Sequence, residues 1–97
     1  MHKYMFHKLN EFLRYVIDRF TPVHQLDIAI EEMSELTKEI CKYKRGFDNR
    51  EKIIEEMADV FIMLRQLKLI FNITDKELHN AELNKIKRLR EHMKEGD

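Results

Sequence analysis

Apolar residues recur every three or four positions along almost the whole chain, and turn signals divide them into four runs. That period predicts four amphipathic helices. The first covers about His2 to Arg19, with Tyr4, Met5, Leu9, Phe12, Leu13, Val16, Ile17 and Phe20 at helical spacing. It ends at "FTPVH", where Thr21 suits an N-cap and Pro22 the first position of a new helix. The second helix is expected from Pro22 to Tyr43, with Leu26, Ala29, Ile30, Met33, Leu36, Thr37 and Ile40 as its inward stripe. Lys42, Lys44 and Arg45 complement the dipole at its end, and Gly46 supplies the stop. "DNRE" at 48–51 reads as a capping box, with Asp48 as N-cap and Glu51 three residues on. It opens a third helix running to Phe71. "TDKE" at 74–77 repeats the signal, so a fourth helix starts near Asp75, with Leu78, Ile86, Leu89 and Met93 inward and Leu83 at the edge. The closing "EGD" is expected to fray.

The third helix breaks the amphipathic rule. From Val60 to Phe71 it is apolar around most of its circumference. Such a helix is buried on more than one side, which four short helices cannot achieve alone, so a subunit interface is expected. Residues 1–97 make one domain, since a chain of this length has room for one core. Two glycines and one proline leave little to break helices. The expected fold is therefore all-α, four-helix bundle-like and oligomeric.

Charge and cysteine use narrow the classes. The formal net charge is zero, which opposes a dedicated nucleic-acid binder despite the locally basic "NKIKRLREHMK". The single cysteine, Cys41, allows no disulfide within the chain and is expected in or near the core. The longest apolar run, "VFIML", is too short to span a bilayer, and the N-terminus carries no signal-peptide apolar region. A cytoplasmic location is the simplest expectation, with no membrane and no nucleic acid as partner.

Two acidic clusters stand out against the apolar pattern: "EEMSE" at 31–35 and "EEMAD" at 55–59. Residues three or four apart share a helix face, so Glu32 pairs with Glu35 and Glu56 with Asp59, while Glu31 lies beside the first pair. At 100° per residue, Glu32 falls at the edge of the second helix's core stripe. Glu56 and Asp59 fall between apolar neighbours on the third. Either pair alone is an ordinary solvated face. Both together, at core edges of consecutive helices, converge where the two helices meet. Four carboxylates so placed repel one another, and a divalent cation removes the repulsion. An oxygen-only donor set suits Mg²⁺, or Mn²⁺, and suits Zn²⁺ poorly.

"EEMSE" followed by "EEMAD" resembles the EExxE…ExxD signature of the all-α nucleoside triphosphate pyrophosphatases, the MazG-like family related to dimeric dUTPases and phosphoribosyl-ATP pyrophosphatase. The similarity runs over about residues 22 to 90. It implies Mg²⁺-dependent hydrolysis of a nucleoside triphosphate between the α and β phosphates, giving a monophosphate and pyrophosphate. By the same resemblance Glu32, Glu35, Glu56 and Asp59 match the metal-binding carboxylates. Glu31 matches the leading glutamate and would hold water or orient its neighbours, with Glu35 as candidate base. In the fourth helix Asn84 and Lys85, with Lys87 or Arg88 as the trailing cation, match the family's phosphate and sugar contacts, although Ile86 and Leu89 interrupt one alignment of that motif. The resemblance also implies a homodimer or homotetramer.

Rival readings are weighed by the same residues. A di-iron bundle wants Glu-x-x-His, and the residues three after the glutamates are Glu35 and Asp59. A non-enzymatic helical adaptor that dimerises through the third helix explains its apolar surface but leaves the acidic pair unexplained. His24, Phe12, Tyr15 and Phe20 are candidates to meet a base, with capping and core roles as their ordinary alternatives. No two histidines have zinc-ligand spacing.

Overall fold

The computed structural model describes the backbone of residues 2–96 and the side chains of 5–94. Tyr4 and the closing 95–97 lie outside those side chains. The fold is all-α: α1 His2–Phe20, α2 Pro22–Lys44, α3 Arg50–Ile70 and α4 Asp75–Gly96, with no strand among the described residues. None of these helices is long and apolar enough to cross a membrane.

The helix ends follow from local chemistry. Thr21 Oγ1 accepts from the His24 amide at 3.2 Å, and Pro22 starts α2. At the other end Gly46 takes φ 97. Its amide donates to Tyr43 O at 2.9 Å and that of Phe47 to Lys42 O at 3.2 Å, the paired bonds of a glycine stop. α3 ends the same way without glycine. Asn72 takes φ 53, and the Ile73 amide reaches back to Lys68 O at 2.9 Å. Asparagine tolerates this left-handed turn better than other side-chain-bearing residues. α4 opens on a complete capping box. The Glu77 amide donates to Thr74 Oγ1 at 3.1 Å, and the Thr74 amide to Glu77 Oε2 at 2.8 Å.

The start of α3 departs from expectation. Asn49, not Asp48, is the N-cap, and its side chain makes no capping bond. Asn49 Nδ2 is committed elsewhere, to Glu39 O at 2.8 Å and Glu39 Oε1 at 3.0 Å. The cap bond is exchanged for a tie between the two helices.

α2 and α3 form an antiparallel pair, and α1 lies more lightly against both. The α2 side of the seam runs through Gln25, Ala29, Glu32, Leu36 and Glu39, in alternating steps of four and three. Facing them on α3 are Ile53, Glu56, Val60, Met63 and Gln66, all buried or half-buried. Gln25 Nε2 donates to Gln66 Oε1 at 2.7 Å across one end of the seam. Leu13 and Ile17 of α1 close the small core. The apolar stripe expected on α2 is thus split. Leu26, Ala29 and Leu36 turn inward, while Ile30, Met33 and Ile40 are exposed, Ile30 at 62%. Cys41 is exposed rather than near the core. Phe12, Tyr15 and Phe20 are exposed as well, so they fill no core within one chain.

The fourth helix is the larger departure from a bundle. Apart from an ion pair between Lys68 and Asp75 at its first residue, α4 packs on none of the other helices among the described residues. Leu78, Leu83, Ile86, Leu89 and Met93 do not face inward; every described side chain of α4 is exposed. The radius of gyration is 16.7 Å, against about 12.5 Å for a compact chain of this length. One chain is a three-helix unit with a projecting arm.

Ala29 is 1% exposed, so the seam has no room at that point. Ala29→Leu is expected to cost about 1–3 kcal/mol in urea unfolding. A loss below about 0.5 kcal/mol would mean that α2 and α3 are not in close contact there.

Candidate metal centre

The seam brings the two acidic clusters together. Glu32 on α2 and Glu56 and Asp59 on α3 each offer a carboxylate oxygen, and those oxygens lie within 4.8 Å of one another. Glu32 and Glu56 are half-buried and Asp59 is exposed, so the cluster opens to solvent on one side. The reason is the helical register. Glu32 is a seam residue three after Ala29, and Glu56 and Asp59 straddle the matching turn of α3.

The electrostatics are those of a site short of positive charge. The Glu32 carboxyl is pushed above its ordinary value by burial first, then by the charge of Asp59 and the contact between these two carboxyls, then by Glu56 and Glu31. Glu56 is raised by burial, then by Asp59 and Glu35, with Lys52 opposing. Lys52 itself lies 3.6 Å from the Glu55 carboxylate, so its charge is shared.

The expected residues divide into three groups. Glu32, Glu56 and Asp59 converge. Glu35 and Glu31 are exposed beside them and act on the cluster through their charge, Glu35 on Glu56 and Glu31 on Glu32. Asn84, Lys85 and Arg88 stand on the projecting α4, which does not approach the seam within one chain. One acidic seam residue escaped the sequence reading. Glu39 lies seven residues beyond Glu32 on the same stripe and is 7% exposed. It is not a free donor. The hydrogen bond from Asn49 holds its carboxyl below the ordinary value, helped by Lys42 at 3.4 Å. Glu39 is a structural carboxylate at the closed end of the seam, whereas Glu32 makes no ion pair with a cation among the described residues.

The donor set fits a hard divalent cation. Glu32, Glu56 and Asp59 would hold such an ion through one oxygen each, the three oxygens lying within 4.8 Å of one another. Half-burial of two of them limits competing water, and exposure of Asp59 leaves an open side. There is no nitrogen or sulfur donor in the group, which disfavours zinc. Comparison of the chain with family models, curated proteins and solved structures gives no match.

The raised carboxyls fix a sign for pH dependence. Glu32 and Glu56 bind protons more readily folded than unfolded, so their repulsion destabilises the metal-free protein above the raised values. Lowering pH from neutrality toward the ordinary value of 4.5 is expected to raise the melting temperature. Below that value the gain is opposed as Glu39 and Asp75, both lowered, take up protons. Glu32→Gln should flatten the rise. A melting temperature that falls steadily from neutrality to 4.5 in the wild type would contradict this electrostatic picture.

Proposed function

We propose that the protein is a Mg²⁺-dependent nucleoside triphosphate pyrophosphohydrolase, with Mn²⁺ as an alternative ion. The observation that carries the reading is the convergence of Glu32, Glu56 and Asp59 within 4.8 Å across the α2–α3 seam. The EExxE…ExxD resemblance supplies the reaction class, and the convergence gives it a chemical basis. A divalent ion held there would offset the carboxylate repulsion and polarise a phosphate or water.

The chain's own groups take the remaining roles. Glu35, exposed one turn beyond Glu32, is the base that accepts a proton from the attacking water. Glu31 orients that water or Glu32. Asn84, Lys85 and Arg88 of α4 hold the phosphates or sugar, and in this reading they belong to a neighbouring copy. Two features support that assembly: the exposed apolar stripe of α4, and exposed Ile30 and Met33 on α2 with Phe61 and Leu64 on α3. A homodimer or homotetramer covers both. The alternative is an adaptor that uses the same apolar faces for association and keeps the acidic seam without turnover.

A pyrophosphate-release assay over a panel of nucleoside triphosphates, with Mg²⁺ and with EDTA, separates the two. Release only with Mg²⁺ is expected. Glu56→Ala or Asp59→Ala should lower kcat by about two orders of magnitude or more while far-UV circular dichroism stays helical. Lys85→Ala or Arg88→Ala should raise KM by about tenfold. Full turnover in either carboxylate variant would overturn the assignment, and silence across the panel in folded protein would favour the adaptor.

The assembly is tested by sedimentation. A dimer or tetramer is expected, and Leu89→Lys on α4 should shift it toward monomer. A wild-type chain that sediments as a monomer at micromolar concentration would remove the shared-site element of the reading.

A further inference from the structure

A second region concentrates the opposite charge. A cavity of about 650 Å³ lies between α1 and the C-terminal end of α3, bounded by the turn into α4. Arg14 enters it from α1, and Arg65 and Lys68 from α3. Their spacing explains the convergence. Asn10 and Arg14 are four apart on one face of α1, and Arg65 and Lys68 three apart on one face of α3. Packing α1 on α3 therefore sets two cationic faces opposite each other.

The charges are not balanced from within. Lys68 is paired with Asp75, the one carboxylate lining the cavity. His7, also on the lining, is 3.0 Å from Glu11. The Arg65 guanidinium lies over the Phe6 ring, 4.9 Å from its centre, and its charge also acts on Asp75, so that one carboxylate faces Arg14, Arg65 and Lys68 together. Arg14 makes no ion pair or hydrogen bond among the described residues. Two positive charges are thus left facing one space, beside the amide side chains of Asn10 and Asn72. The capping box already engages the Glu77 amide, so the attraction for an anion comes from these side chains and not from the end of α4.

We propose that this cavity binds a small phosphomonoester. Three features select that class. A phosphomonoester carries about −1.5 to −2 near neutrality, which matches the unbalanced charge, whereas a monocarboxylate matches half of it. Arginine forks bind phosphate oxygens in pairs. The volume exceeds what a bare ion fills, and Phe6, Leu69 and Ile73 line it with apolar surface for a carbon skeleton. The site is separate from the acidic seam. Asp59 and Lys68 are nine residues apart on α3, about 14 Å along the axis and on opposite faces.

Titration calorimetry of the full chain in EDTA tests the proposal, with phenyl phosphate, inorganic phosphate and benzoate as probes. Phenyl phosphate is expected to bind at least about tenfold more tightly than benzoate, and more tightly than inorganic phosphate. The pair Arg14→Gln with Arg65→Gln should weaken phenyl phosphate by about tenfold or more, while Glu56→Ala leaves it unchanged. Backbone amide shifts of wild-type Asn10 and Asn72 on adding phenyl phosphate give a readout that needs no variant. Equal affinity for benzoate, retention of binding in the arginine pair, or unmoved Asn10 and Asn72 amides would overturn it. So would absence of binding at millimolar phenyl phosphate.

Discussion

Everything in this chain turns on the antiparallel contact between α2 and α3, and that contact is unusually polar for a small core. Its ends are tied by amides: Gln25 to Gln66 at one, Glu39 to Asn49 at the other. Between them Glu32 meets Glu56 and Asp59, with Lys52 offsetting only part of the repulsion at Glu56. Replacing those three by leucine-like residues would bury more apolar surface with no repulsion. The seam instead keeps a repulsive middle between two hydrogen-bonded ends, with Asn49 Oδ1 buried and without a partner among the described residues at one of them. Because each end is bonded from α2 to α3 or to its cap, the helix register is held, and the register is what keeps three carboxylates in one place.

The rest of the surface is consistent with a chain that does not stand alone. The core is small: Leu13, Ile17, Ala29 and Met63 are its buried apolar members. Large apolar side chains lie outside it on every helix, including Phe61 at 60% exposure. α4 contributes an apolar stripe that no other helix covers among the described residues. In a bundle of this size a small core leaves a modest hydrophobic term, and covering such surfaces would add to it. In the proposed reading the assembly and the catalysis depend on one another, since α4 packs on none of the other helices of its own chain among the described residues.

Local order was legible in the sequence. Thr21, Gly46 and Thr74 marked helix ends because capping is decided within a few residues. The convergence of Glu32, Glu56 and Asp59 was legible too, since helical spacing puts them at core edges. The direction of α2 was less so. Apolar residues occupy two of its faces, and periodicity cannot say which one its own chain covers. Of the stripe that periodicity gives, Leu26, Ala29 and Leu36 turn inward, whereas Ile30, Met33, Thr37 and Ile40 are exposed and the seam passes through Gln25, Glu32 and Glu39 in their stead. Glu39 lies on the part of that seam which the apolar pattern does not mark. The Arg14, Arg65 and Lys68 cluster left no local trace, because it arises from packing between helices distant in sequence. The position of α4 was hidden for the same reason: a stripe records that a face is apolar, not whose surface covers it.

The central claim is that the acidic middle of the seam is a cation site. The most direct measurement is electron paramagnetic resonance of Mn²⁺ titrated into the wild-type protein and into Glu56→Ala. The account predicts saturable uptake of Mn²⁺ by the wild type, displaced by Mg²⁺ and lost in the variant. Mn²⁺ remaining free with the wild type, or bound equally by both proteins, would contradict it.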